Sequence, residues 1–229
     1  MYPMLSWMSV VASSFLKPEF WFEKAGSGAI FVVTAIVFAE SGLLFGFFLP
    51  GDSLLFFTGF LTSSAANNDK FFHQFAQHVP ALPIVLVCLF LAAVAGDQCG
   101  YWFGRKVGPT LFRRPNSRLF KQENVAKAQA FFDRHGAKSI VLARFVPIVR
   151  TFTPIVAGVG QMRYRTYLTF DLLGGLLWAV GVTTLGHFLG QLEFVRKNIE
   201  YAIVVVIAVS LLPVAVELLR ARRHRTQSV

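Results

Sequence analysis

The 229-residue chain is short of the residues that soluble folds place on their surfaces. Only 15% of it is charged, with 12 acidic residues against 22 Lys and Arg, for a formal net charge of +10. A soluble domain of this length carries more charge to cover itself. Cysteine is almost absent. Cys88 and Cys99 lie eleven residues apart in one apolar stretch, roughly 16 Å along a single helix and beyond the reach of a disulfide. Both read as reduced packing residues, and no disulfide framework is implied. His73, His78, His135, His187 and His224 lack zinc spacing, so no metal is assigned, and no motif asks for a cofactor. Neither H-E-x-x-H nor G-x-S-x-G occurs in the sequence, and an intramembrane enzyme is set aside. The N-terminus has no positive region ahead of its apolar part and no convincing small-x-small cleavage site, which argues against a signal peptide.

What the chain does have is apolar sequence: 55% hydrophobic residues, 15% aromatic residues and 25 Phe. These come in long runs, which identify an integral membrane protein. Crossing the hydrocarbon takes about 20 apolar residues, and residues 82–104, 167–190 and 201–219 each qualify as a transmembrane helix. Residues 1–27 read as an interfacial segment with Phe20, Trp21 and Phe22 at headgroup depth. The basic residues fall between and after the apolar runs. They therefore read as cytoplasmic topology signals with an attraction to anionic lipid, and nucleic acid is not an expected partner.

Two apolar regions are broken. Residues 28–64 are interrupted by Pro50, Gly51 and Asp52, and residues 139–160 by Pro147 and Pro154. Each arm of the second region is about eleven residues, roughly half the hydrocarbon thickness as helix. A re-entrant hairpin fits, because non-helical backbone at that depth must line protein or a water-filled cavity. From Arg105 to Lys138 there are nine Lys and Arg against two acids, which assigns segment 105–138 to the cytoplasm. The basic tail 220–229 then also lies in the cytoplasm, and the first hairpin opens outward. Hairpin 28–64 plus helix 82–104 (repeat 28–104) is thus followed by hairpin 139–160 plus helix 167–190 (repeat 139–190) with inverted topology. Glycines four apart, Gly100, Gly104 and Gly108 in one half and Gly186 and Gly190 in the other, suit close helix contact. The expected fold is an all-α polytopic membrane protein, residues 1–229 as one domain. It comprises two inverted-topology repeats, an N-terminal interfacial helix and an extra C-terminal transmembrane helix.

Glu40 and Asp52 in the first broken segment and Arg144 and Arg150 in the second have no structural reason to be in apolar sequence. Intramembrane charges face a cavity, pair with one another and mark a pathway. Arginine stays charged and its fork fits phosphate oxygens, so Arg144 and Arg150 are the candidate sites for an anionic headgroup. A carboxylate drawn away from water holds a proton more readily, so Glu40 and Asp52 are candidates for proton coupling. Asp97 and Arg105 are additional candidates, with a pair between Asp97 and Arg105 or another nearby base as the plain alternative. Asp171 and Glu217 are expected to snorkel near helix ends, and Trp178 to pack or face lipid.

The stretches FAESGLLFGFFLPGDSLLFFTGFL, GDQCGYWFGRKVG and RFVPIVRTFTPIVAGVGQMRYRTY resemble the DedA family, also called the SNARE-associated or VTT-domain family, over roughly residues 28–190. The resemblance implies a polytopic inner-membrane protein with two re-entrant hairpins, its acidic pair at Glu40 and Asp52 and its arginine pair at Arg144 and Arg150. It further implies translocation of undecaprenyl phosphate, the polyprenyl-phosphate lipid carrier of cell-envelope synthesis, which protonation of Glu40 or Asp52 would couple to the proton motive force. The expected partners are membrane lipids, protons and, in a homo-oligomer, other copies of the chain. The competing readings are an energy-independent phospholipid scramblase and a proton-coupled cation or drug antiporter. A purely structural partner protein leaves the two charged broken hairpins without a purpose.

Overall fold

The computed structural model describes residues 18–43, 50–111 and 136–193. The expected helix 201–219, the basic tail, Glu217, His135, His224 and most of segment 105–138 lie outside them. Every regular element among the described residues is helical. In chain order these are α1 (Pro18–Ala25), a 3-10 turn (Gly26–Gly28), α2 (Ala29–Gly42), α3 (Gly51–Leu61), α4 (Ser64–Asn68), α5 (His73–Ala76), α6 (Leu82–Leu111), α7 (Lys138–Ala143), α8 (Pro147–Val159), α9 (Tyr164–Gly175), a π turn (Leu176–Val180) and α10 (Gly181–Leu189).

Three helical stretches are long and apolar enough to cross a bilayer: Phe20–Gly42, Leu82–Val107 and Tyr164–Leu189. The second and third carry the expected spans 82–104 and 167–190. The first joins the segment read as interfacial to the first arm of the broken region, with only the 3-10 turn at the expected boundary. Large apolar side chains point outward along these helices, among them Phe31, Val87, Leu91, Leu173, Leu177 and Leu185. Lipid is the solvent that makes such a surface stable. α3 is the reverse case: all eleven of its residues are buried, as expected of a helix apolar on every side and enclosed by protein.

The breaks have local causes. Leu43, after α2, is extended (φ −105°, ψ 136°). α3 starts after Pro50 (φ −84°, ψ 47°), and Ser53 Oγ donates to the Pro50 carbonyl at 2.8 Å. In the second region α7 ends at Arg144, and Val146 is extended (φ −118°, ψ 103°). A residue before proline is pushed out of helical geometry in this way, and Pro147 then occupies the first helical position, where its missing N–H is no loss. Pro154, expected as a further break, is instead inside α8. Its ring removes the donor for the Arg150 carbonyl, but the helix continues because Pro154 is packed on Gly100 of α6. A Cβ at residue 100 would stand 3.1 Å from that ring.

Glycine contacts then decide the packing. α2 and α8 both lie along α6, and α3 lies along α10. A Cβ at Gly42 would strike the backbone of Gly96, one at Gly104 the backbone of Ile155, and one at Gly59 the carbonyl of Thr183. At Gly186 it would strike the carbonyl of Phe56. The glycines singled out at 100, 104, 186 and 190 thus face α8 or α3. Across the α3–α10 contact Thr62 Oγ1 meets His187 Nδ1 at 2.8 Å. Beyond α3, the segment that carries α4 and α5 is held by edge-on aromatic contacts of Phe72 with Phe57 and Phe60, at 6.2 and 4.8 Å between ring centroids.

Candidate functional site

Arg150 sits in the first turn of α8, its N–H bonded to the Val146 carbonyl at 2.9 Å. Its guanidinium reaches across to both arms of the other broken segment. Nη1 donates to Asp52 Oδ1 at 2.6 Å, and Nη2 pairs with Glu40 Oε1. Asp52 lies in the first turn of α3, where the helix dipole favours negative charge, and Glu40 lies in the last turn of α2. Glu40 is 1% exposed, Arg150 6% and Asp52 8%. Gly51 makes the meeting possible, since a Cβ there would collide with the Glu40 carboxylate. The two broken segments thus meet through Arg150, Glu40 and Asp52.

Arg144 takes different partners. Its Nη2 donates to Asp171 Oδ1 on α9 at 2.7 Å and pairs with Asp97 of α6. Gln98 Nε2 holds the other Asp171 oxygen at 2.8 Å, and the Tyr167 hydroxyl donates to the Asp97 backbone carbonyl at 3.2 Å. Gly174 and Gly175 leave the lane for this arginine, because a Cβ at Gly174 would stand 2.9 Å from Arg144 Cδ. Asp97 thus joins the charged set. Arg105 does not pair with it: Arg105 Nη1 donates to the Tyr101 hydroxyl at 2.7 Å, at the open end of the helix.

Trp178, in the π turn, stands between the two clusters. Its Nε1 donates to Asp52 Oδ1 at 2.8 Å, and its ring centroid is 4.4 Å from Arg150 Cζ and 6.0 Å from Arg144 Cζ. A π turn inserted in a long helix often marks a functional position, and here it aims an indole at two guanidiniums. A cavity of only about 10 Å³ borders both arginines, lined among others by Thr153, Pro154 and Tyr167.

Asp171 corrects the sequence reading, which had it snorkelling near a helix end: it is buried, at 1% exposure. Trp178 packs in the core at 2% exposure, one of its two expected placements, and adds the N–H to Asp52 that was not expected. Their sevenfold spacing, two helical turns, was the available signal: it puts acid and indole on one face. Of the breaking residues, Pro50, Gly51 and Pro147 stand where α3 and α8 begin, and Pro154 lies inside α8. Among the described residues no group of His, Cys, Asp and Glu could hold a metal ion. With both carboxylates ionised, each cluster has two negative charges on one guanidinium. One proton per cluster makes it neutral.

The VTT-domain family model matches residues 49–188, which include both broken segments' second arms and every charged residue above except Glu40. The chain belongs to the VTT-domain, or DedA, family. Among VTT-domain relatives, the protein DedA of Escherichia coli (strain K12) is 42% identical over 192 residues, covering 84% of this chain and 83% of that protein. An uncharacterized membrane protein of Mycobacterium tuberculosis (strain ATCC 25618 / H37Rv) is 43% identical over 223 residues, covering 93% of this chain and 91% of its own. The inner membrane protein YghB of Escherichia coli (strain K12) is 33% identical over 168 residues, covering 73% and 71%. No solved structure matches this VTT-domain protein.

Proposed function

We propose that this protein translocates a lipid phosphate, undecaprenyl phosphate in the reading that the family resemblance implies, across the bacterial inner membrane for cell-envelope synthesis, in exchange with protons. The observation that carries the proposal is the Arg150 cluster. A guanidinium from one broken segment is clamped by Glu40 and Asp52 from the other, in the protein interior. A buried ion pair adds little net stability over a well-packed apolar core, so its presence inside apolar sequence points to traffic of charge.

The packing supports two inverted repeats, each with a short second arm after its break. The second arm of the first break (α3) lies on the long helix of the second half, and α8 lies on the long helix of the first half. At 11 and 13 residues these arms are about 17 and 20 Å long, short of the roughly 30 Å of hydrocarbon. One relative is an inner membrane protein, and this together with the positive charge of residues 105–138 supports an inner-membrane location with a cytoplasmic C-terminus.

In this mechanism carboxylate and phosphate compete for the same fork. Proton uptake by Glu40 or Asp52 weakens its hold on Arg150 Nη1 and Nη2, and the phosphate oxygens accept those N–H groups instead. Loss of the proton on the other side restores the carboxylates and expels the phosphate. Arg150 Nε makes no hydrogen bond to the described residues, so the guanidinium has a further donor to give. The prenyl tail stays in lipid beside the outer face of α8 and the turn before it, where Phe145, Val149 and Phe152 are exposed. The Arg144 cluster offers a second fork across the 10 Å³ cavity.

Binding of undecaprenyl phosphate to the purified protein, with undecaprenol as the uncharged control, tests this reading. The expected result is phosphate-dependent binding that Arg150→Ala and Arg144→Ala each weaken by on the order of tenfold or more, the value of one charged hydrogen-bonded pair. Equal binding of phosphate and alcohol, untouched by either substitution, would make both arginines structural.

A further inference from the structure

At the end of α6 and the turn into α9, the structure has an open cleft of about 670 Å³, within the size range of ligand pockets. Its walls include the guanidinium-bearing residues Arg105, Arg163 and Arg165 and the aromatic residues Trp102 and Tyr164. Among the described residues no carboxylate lines it, and none of these three arginines forms an ion pair with an acid. This is the opposite of the interior, where Arg144 and Arg150 are each paired with two acids.

The cleft is built. Tyr101 is fully buried, stacks on Tyr167 at 4.5 Å, donates to the Met162 carbonyl at 2.6 Å and accepts from Arg105. One side chain thus ties Arg105 to the turn that carries Arg163 and Arg165. Gln161, also on the cleft wall, has a φ of +51°, a left-handed conformation that costs a non-glycine residue about 1–2 kcal/mol. α9 starts here, and its first intrahelical bond is from Tyr167 N–H to the Arg163 carbonyl. The N–H groups of Tyr164, Arg165 and Thr166 are therefore free of intrahelical partners and point the way anions prefer. Trp102 and Phe103, 43% and 45% exposed on the same end of α6, are side chains suited to the border between headgroups and hydrocarbon.

We propose that this cleft is a docking site for the phosphate of an anionic membrane lipid, separate from Arg144 and Arg150, with the hydrocarbon tail left in the bilayer beside α6. The commitment to lipid rather than a soluble anion rests on the aromatic rim and on Phe103, which a free phosphate has no use for. The site does not depend on the transport reading and stands if that reading fails.

The test is native mass spectrometry of the purified protein with dioleoylphosphatidic acid, with dioleoylglycerol as the lipid lacking phosphate and inorganic phosphate as competitor. The expected result is retention of phosphatidic acid over dioleoylglycerol. Retention falls on the order of tenfold or more in R105Q/R163Q/R165Q, the scale of several arginines acting on anionic lipid. Retention in the triple variant equal to the unsubstituted protein overturns the proposal. So does displacement of the lipid by inorganic phosphate at the same concentration as the lipid. If the triple variant does not fold by circular dichroism, R163Q and R165Q carry the test at exposed positions, and loss in neither overturns the site.

Discussion

At the scale of single residues, the two clusters differ from ordinary ion pairs in their ratio of two acids to one base. Removing the base leaves two carboxylates buried without a counter-charge, whereas removing one acid leaves a balanced pair. Arg150→Ala and Arg144→Ala are therefore each expected to destabilise the folded protein by about 3–5 kcal/mol, the cost of breaking a buried pair. Glu40→Gln is expected to cost about 1–2 kcal/mol, closer to an ordinary buried hydrogen bond. Thermal unfolding in detergent checks the order, and equal losses would contradict the two-to-one account. Trp178→Phe keeps a ring over Arg150 but deletes the N–H to Asp52. It is expected to weaken the cluster by about 1.5–3 kcal/mol in the same assay. Glu40, Asp52, Arg144 and Arg150 were legible in the sequence because apolar stretches give charge no structural use. The division of partners was not. Which acid meets which guanidinium is decided by helices far apart in the chain, 110 residues for Arg150 and Glu40. Asp171 was misread because the span was started at residue 167. α9 begins at Tyr164, which puts the acid about two turns inside.

At the scale of elements, length and interruption carried most of the fold. The long helices at 82–104 and 167–190 follow from counting apolar residues, and the turns at Pro50 and Pro147 from proline's geometry. Pro154 shows the limit of that argument, because a proline can stay inside a helix when a glycine on the neighbour makes room for it. Glycine spacing located the contact faces, and their cost is testable. Gly59→Ala drives a methyl into the Thr183 carbonyl, while a Cβ at Gly181 meets nothing within 4 Å. Gly59→Ala is expected to reduce the yield of monodisperse protein on size exclusion and to lower its melting temperature. Gly181→Ala, which only removes a glycine from a helix, is expected to leave melting unchanged or raise stability by about 1 kcal/mol. Similar behaviour of the two would mean that α3 and α10 are not held by this close approach.

At the scale of the whole molecule, the claim is that two broken segments meet inside the membrane and share charge that a travelling phosphate can take over. The proposed orientation rests on the basic residues between α6 and α7. In a Cys88→Ser, Cys99→Ser background, Gln191→Cys is expected to react with an impermeant maleimide on intact cells, and Lys138→Cys only after permeabilisation. Both positions are exposed at helix ends, so the reverse pattern would invert the topology. The most direct measurement is translocation itself: undecaprenyl phosphate moved across proteoliposomes under an imposed proton gradient. The account predicts transport that responds to the gradient, is abolished by Arg150→Ala, and loses its response to the gradient when Glu40 and Asp52 are both amides. Transport by Arg150→Ala at the unsubstituted rate would contradict it.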